Sequence, residues 1–238
     1  LRKAQRIARM GSWEWDIAND SFWWSDEIFA IFGLEQSKFG ANYESFMKSV
    51  HPGDKEFVEH SVHQALYLRK PYSIDHRIVL PDGEEKIVQE NADILFDGEG
   101  RPVHMTGTVQ DITERKKSEF ELKKLSAVIE HSVNIVFITD RKGTIEYVNP
   151  TFEQVTGYTK AEALGQNPKI LSSGEMTDAQ YQDMWKTILS GQTWRSAIRN
   201  RNKTGGSYWV DSVITPIRDE QGDITHFLAV QEDVTAKM

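Results

Sequence analysis

One pattern of residues runs through this chain twice, and its period constrains the fold more than any other feature. Gly83 and Gly205 are 122 positions apart (205 − 83), and so are Asp111 and Asp233 (233 − 111). A turn glycine and a terminal acidic motif therefore recur at one spacing. Around them the earlier copy runs through β-branched and aromatic stretches at residues 72–79, 86–95 and 105–113, and the later copy through 194–203, 207–217 and 226–235. Turns containing Gly83, Gly100, Gly205 and Gly222 separate these stretches, so each copy reads as three strands joined by hairpins. Two copies at so long a period mean duplicated domains, not a solenoid. A length of 238 residues suits two domains, each large enough for its own core.

Composition then removes whole classes of function. The chain has no cysteine, which excludes disulfides, thiolate metal sites and a cysteine nucleophile. Its formal net charge of −8 argues against a nucleic-acid surface, which needs a basic stripe. No apolar run is long enough to span a bilayer and no signal-peptide pattern is present, so a cytoplasmic location without membrane contact is expected. Residues 1–10 read as the end of a charged helix, and the last strand stops close to Met238. The sequence is accordingly expected to be an excised piece of a longer protein.

Each half follows one plan. In the first, residues 11–17 alternate as a strand and 21–24 form its partner. Ser25 and Asp26 offer a cap to a short helix that Gly33 stops. A second short helix covers 43–50, and Asp54 is placed to cap a longer one carrying Phe57, Val58, Val62, Ala65 and Leu66. In the second half, residues 134–140 and 145–148 make a hairpin. Asn149 and Pro150 then start a helix that Gly157 ends, residues 161–164 add another helical turn, and 178–189 form the longer helix. Residues 114–130, rich in Lys, Glu, Leu and Ala, bridge the halves as a helix. Leu122, Leu125 and Ile129 lie on it at three-then-four spacing, a seam that suits either a second copy of itself or a neighbouring domain.

The order of elements, with Asp111-Ile112-Thr113 and Asp233-Val234-Thr235 at the two ends, resembles the PAS sensory domains, twice in tandem. The implied fold is α+β. Each domain has a five-stranded antiparallel sheet with short helices between strands 2 and 3. The expected boundaries are 1–113, a helical linker at 114–130, and 131–238. The first unit, with its Gly11 to Asp16 stretch, His51 to Asp54 and Pro81 to Gly83, resembles a subgroup of linker or dimer modules. The second unit, through Gly165 to Leu171, Asp183 to Ile188, Trp194, Arg199 to Lys203 and Tyr208 to Asp211, is similar to flavin-binding redox sensors of the NifL, aerotaxis-receptor and MmoS types.

That resemblance implies a set of cofactor-binding residues: Asn167, Lys169, Trp185, Trp194, Asn200, Asn202, Trp209 and Gln231. A flavin ring has an apolar benzenoid edge and a pyrimidine edge with both acceptors and a donor, so an apolar pocket with a few side-chain amides suits it. Asn167 and Asn200 match ring-binding asparagines of the related light-sensing LOV domains, and Gln231 aligns with the glutamine beside the redox-active nitrogen. Trp185 and Trp194 match tryptophans of the FAD-binding subgroup, and Lys169 lies where a basic residue meets the phosphates. Each has a plainer reading, since strand amides are often surface hydrogen-bonders and helix tryptophans usually core; the joint pattern favours the cofactor. The photoreactive cysteine position is Pro168, which rules out adduct photochemistry. Val210 and Ser172 stand where LOV domains have a further asparagine and a loop glutamine.

The expected cofactor is FAD ahead of FMN. Haem in the first unit is the lesser expectation, resting on His60 and His63, which are neighbours on its long helix. No catalytic residue or metal ligand is assigned: no Ser-His-Asp order, phosphate loop or paired carboxylate stands out. The expected function is redox or oxygen sensing relayed to an effector elsewhere in the full chain, a histidine kinase, cyclic-di-nucleotide enzyme or chemoreceptor. A homodimer is expected. A ligand-free dimer module and a sensor of haem or a small metabolite are the competing readings.

Overall fold

The computed structural model of the chain describes residues 10–37 and 40–237. The helix expected over residues 1–10 lies outside them, except for Met10, which opens the first strand. The chain divides into two units, Leu1–Glu121 and Leu122–Met238. The first holds β1 (Met10–Asp16), β2 (Ser21–Trp24), α1 (Asp26–Phe32), α2 (Tyr43–Ser49), a 3-10 turn at Pro52–Asp54, α3 (Lys55–Leu68), β3 (Tyr72–Val79), β4 (Glu85–Phe96) and β5 (Pro102–Asp111). Helix α4 (Thr113–Glu130) carries the boundary between the units. The second holds β6 (Ile135–Asp140), β7 (Ile145–Val148), α5 (Pro150–Thr156), α6 (Lys160–Ala163), a 3-10 turn at Pro168–Leu171, α7 (Asp178–Leu189), β8 (Trp194–Arg201), β9 (Ser207–Arg218) and β10 (Ile224–Asp233).

Both units build the α+β fold expected of them, with one sheet topology used twice. The strand orders are β2-β1-β5-β4-β3 and β7-β6-β10-β9-β8, antiparallel throughout. Strand period two sends alternate residues to one face. Tyr72, His76 and Ile78 on β3, Val88 and Glu90 on β4, and Met105 and Val109 on β5 are all buried there. The turn glycines do what the repeat requires of them. Gly83 and Gly205 sit at φ 89° and 93°, where a side chain would be strained, and close equivalent hairpins between the third and fourth strands of each sheet.

The terminal motifs explain their recurrence in the same way. Thr113 donates its backbone N–H and hydroxyl to Asp111 Oδ1 at 2.9 and 2.6 Å, and its Oγ1 accepts the Ile87 N–H at 3.0 Å. Thr235 makes the same pair of bonds to Asp233, at 2.9 and 2.6 Å, and accepts from Trp209 N at 2.9 Å. Each exit from a sheet is thus tied to the strand beside it.

Two expected caps work differently. Ser25 stands at the start of α1, but its hydroxyl accepts the Ser12 N–H at 3.0 Å instead of capping. Asp54 precedes α3 without capping it, because it grips Arg77 through Nε at 3.1 Å, Nη2 at 2.6 Å and the backbone N–H at 2.8 Å. That pairing lowers its carboxyl to about 2. Asn149 caps as expected, accepting from Phe152 N at 3.0 Å and also from Val136 N at 2.9 Å.

The first core contains two titratable groups with opposed tendencies. Glu90 is 3 % exposed and accepts one bond, from the Tyr72 hydroxyl at 2.9 Å; burial pushes its carboxyl up to about 7 although that bond opposes the rise. His76, equally buried, has no hydrogen-bond partner on either ring nitrogen among the described residues, and burial holds it down at about 4 against Asp54 and Asp75 nearby. A raised carboxyl stabilises the fold fully below its unfolded value near 4.5 and loses that contribution as pH climbs through about 7. The lowered histidine does the reverse, contributing fully above 6.5 and losing it as pH falls through about 4. Between these limits the two slopes offset each other. Replacing Glu90 with Gln removes one of them. The stability of the variant relative to the parent should therefore grow by roughly 2–3 kcal/mol from pH 4.5 to 7. Urea melts followed by tryptophan emission check this; a difference independent of pH would contradict it.

Candidate functional site

In the second unit the helices do not close fully on the sheet. They leave a cavity of about 250 Å³ between β6, β8, β9 and β10 below and α7 with the Pro168–Leu171 turn above. Its walls are mostly apolar, with Phe137, Leu171, Met184, Ile188, Ile198, Ile214 and Phe227 among them. Helix α7 presents Tyr181, Met184, Trp185 and Ile188 because they recur at helical spacing along one face. Trp185 meets Phe227 edge to face at 5.8 Å and 84°. Trp194, 7 % exposed, donates its indole N–H to Asp183 at 3.3 Å, which fixes its ring against the same helix.

Two buried amides, Asn200 and Gln231, line the cavity from the sheet with Ser212 beside them, while Asn167, Lys169, Ser172 and Tyr181 line it from the helical side. Asn200 on β8, Ser212 on β9 and Gln231 on β10 are 5 %, 0 % and 3 % exposed. Asn200 Nδ2 donates to Gln231 Oε1 at 3.3 Å, and Gln231 Nε2 donates to Ser212 Oγ at 3.2 Å. Gln231 and Ser212 are direct cross-strand partners, so register itself puts these side chains together. At the far end lies the Tyr208 hydroxyl, buried and without a hydrogen-bond partner of good geometry among the described residues. Burial raises its phenol to about 12, with the neighbouring Asn200 amide opposing. The chain has no fixed direction: a serine hydroxyl donates or accepts, and an amide can present either end.

Of the eight residues singled out above, Asn167, Lys169, Trp185, Trp194, Asn200 and Gln231 line this cavity. Asn167 also has a local task. Its Oδ1 accepts from Lys169 N at 3.0 Å and its Nδ2 donates to Gly143 O at 3.1 Å, which joins the 3-10 turn to the β6–β7 hairpin. Lys169 holds its ammonium 5.5 Å from the Tyr181 ring. The other two are placed elsewhere. Asn202 holds the β8–β9 hairpin, accepting from Gly206 N at 2.7 Å and Thr204 Oγ1 at 3.0 Å. Trp209 is one position out of phase with buried Tyr208 and Val210, and its backbone serves the Thr235 tie.

Ser212 and Tyr208 were not among the residues singled out. Strand parity was their signal, since both share the phase of Val210, but small hydroxyls at such positions carry no chemistry until the register sets what they face. His60 and His63 lie on the exposed side of α3, the first 2.6 Å from Gln64 and the second with its ring tilted 47° against Tyr67 at 4.8 Å. Among the described residues no cluster of three or more His, Asp or Glu side chains could hold a metal.

Comparison with known families matches residues 21–109 and, separately, residues 123–234 to the PAS fold. The chain is two PAS domains in tandem. PAS domains are the sensory modules of signalling proteins, and relatives of such kinds match. The nitrogen fixation regulatory protein of Klebsiella pneumoniae is 40% identical over 108 residues, 45% of this chain and 22% of that protein. The probable diguanylate cyclase DgcE of Escherichia coli is 27% identical over 240 residues, 98% of this chain and 21% of its own. The aerotaxis receptor of Escherichia coli is 35% identical over 97 residues, 41% of this chain and 19% of that one. The chain thus spans about a fifth of the length of these relatives. Among the described residues, no helix of either PAS domain is long and apolar enough to cross a membrane.

Proposed function

We propose that the second PAS domain binds FAD in the cavity beneath α7, and that the tandem is the cytoplasmic redox- or oxygen-sensing input of a longer signalling protein. The observation that carries this reading is the pair of buried amides Asn200 and Gln231 on the floor of a mostly apolar cavity, backed by Ser212. Apolar walls with a few convergent amides suit a flat heteroaromatic ring that both donates and accepts. Trp185, Phe227 and Met184 would cover the ring, Asn167 and Asn200 would hold its polar edge, and Lys169 would meet the phosphates. The matches to a nitrogen fixation regulatory protein and an aerotaxis receptor support a sensory reading.

A bound flavin would supply a ring edge that accepts a hydrogen bond when oxidised and donates one when reduced. The chain's own part is to answer that change. Gln231 can turn its amide over only if Ser212 donates where it had accepted and Asn200 reverses with it; the hydroxyl and the second amide allow both. Gln231 lies two residues before Asp233, whose tie to Thr235 and Trp209 fixes the exit from the sheet. Reversal of the chain would therefore bear on the segment leading to an effector outside this sequence. We also propose a homodimer. Leu122, Leu125 and Ile129 on α4 are 67%, 60% and 37% exposed, a row of apolar side chains suited to a second helix.

Outcomes of three kinds test these readings, the first on cofactor binding. The purified chain should show flavin absorption in the blue and release FAD on denaturation; a haem Soret band, or no chromophore after incubation with FAD, would contradict it. Lys169→Glu should weaken FAD at least tenfold and leave riboflavin binding nearly unchanged, since only FAD carries phosphates. Equal loss for both would remove Lys169 from the phosphate end.

The second outcome concerns Gln231→Leu. Losing one hydrogen bond costs about 0.5–1.5 kcal/mol, too little to empty a tight site, so flavin should stay bound. What should vanish is the difference in hydrogen exchange between oxidised and reduced protein over residues 232–238. If that difference persists undiminished, the signal leaves the cavity by another route. The third concerns Leu125→Glu, which places like charges in the α4 row. Light scattering should show a parent dimer and a monomeric variant; the same mass for both would show that this row does not join the chains.

A further inference from the structure

The first PAS domain has a cavity of its own, and it is chemically unlike the second. Its volume is about 40 Å³ against about 250 Å³ in the second domain, far too little for a flavin ring. Aromatic side chains make up most of its wall. Trp15 stacks on Phe22 at 5.1 Å and 15° and on Tyr43 at 5.8 Å and 21°. Tyr43 in turn leans on Phe46 at 6.1 Å. Into this wall is set one acid, Glu90, 3 % exposed, whose only hydrogen bond among the described residues comes from the Tyr72 hydroxyl to Oε2. Among the described residues no lysine or arginine lines the space.

We propose that this cavity is a binding site for a compact organic ammonium ion, with the aromatic faces as its cage and Glu90 as its counter-charge. Ring faces carry the negative end of the aromatic quadrupole and attract cations, most strongly where water is excluded. A buried carboxylate lacking a cationic partner is costly, and a positive ligand supplies the missing charge. An anion would meet both the acid and the ring faces unfavourably. A neutral apolar ligand would leave the free carboxylate oxygen without a partner.

The repeat shows that the difference is built in. Glu90 occupies the place of Ser212 (212 − 90 = 122), and Val109 the place of Gln231 (231 − 109 = 122). Both Glu90 and Val109 are buried on the same face of the first sheet as their counterparts are on the second. The amide and hydroxyl that form a neutral chain in the second domain are thus a carboxyl and an alkyl group in the first. One sheet offers a neutral polar edge and the other an acid in an aromatic box. This inference rests on nothing in the flavin reading.

The test is calorimetric titration of the whole purified chain with tetramethylammonium, with choline, and with 3,3-dimethylbutan-1-ol, the uncharged isostere of choline. At least one of the two cations should bind saturably, and the isostere at least tenfold more weakly than choline if choline is the one that enters. Glu90→Gln should reduce the cation's affinity at least tenfold. Tyr43→Leu keeps the acid, removes one ring face, and should weaken the cation severalfold, so the site is tested even if one variant does not fold. Far-UV circular dichroism and tryptophan emission report that each variant is folded. Absence of binding by both cations, equal binding of choline and its isostere, or full affinity in folded Glu90→Gln would each overturn the proposal.

Discussion

The hydrogen bonds running from Asn200 through Gln231 to Ser212 are what the second domain depends on, because a polar side chain on the buried face of a sheet must find a partner or cost the fold about 1–3 kcal/mol. Antiparallel register solves the problem locally. Gln231 and Ser212 are opposite each other on β10 and β9, and Asn200 reaches them diagonally from β8. With the three groups satisfying one another, the rest of the floor can be apolar and α7 can stand clear of it. The cavity is the space left when a polar row on the sheet is not pressed under a helix.

The first domain meets the same constraint with different residues. At the place of Ser212 it has Glu90, and the available partner is Tyr72, the residue 122 positions before Trp194 (194 − 72). One hydroxyl is less than a carboxylate needs, so burial keeps this acid near neutrality and its proton becomes part of the fold's stability. One topology therefore carries two unlike interiors. What distinguishes them is a handful of inward-facing positions, since the hairpins and the Asp-x-Thr ties are alike in both.

These differences were legible to different degrees. Turn glycines, strand alternation and the 122-residue period lay on the surface of the sequence, because backbone conformation and strand parity follow directly from residue type. The capping roles of Ser25 and Asp54 did not, because a side-chain acceptor takes the best donor in space and not the nearest in sequence; Ser12 and Arg77 were the better donors. Six of the candidate cofactor residues come together because strand phase and helix face agree with the resemblance that singled them out. Trp209 fell out of phase by one residue, and Asn202 lay in a hairpin where an amide is more useful to the turn. Glu90 is one more polar residue beside Gln89 and Asn91, and only its phase with Val88 marks it as inward.

The central claim is that the Asn200–Gln231–Ser212 chain reverses its direction with the redox state of a ligand bound above it. Side-chain amide resonances of the nitrogen-labelled protein, recorded oxidised and reduced, report this directly. The account predicts that the Gln231 and Asn200 amides both shift. The Asn149 amide should stay fixed, since its oxygen accepts from Val136 and Phe152 and its nitrogen donates to Ile129 and Asn134. Gln231 and Asn200 resonances unchanged between the two states would contradict it.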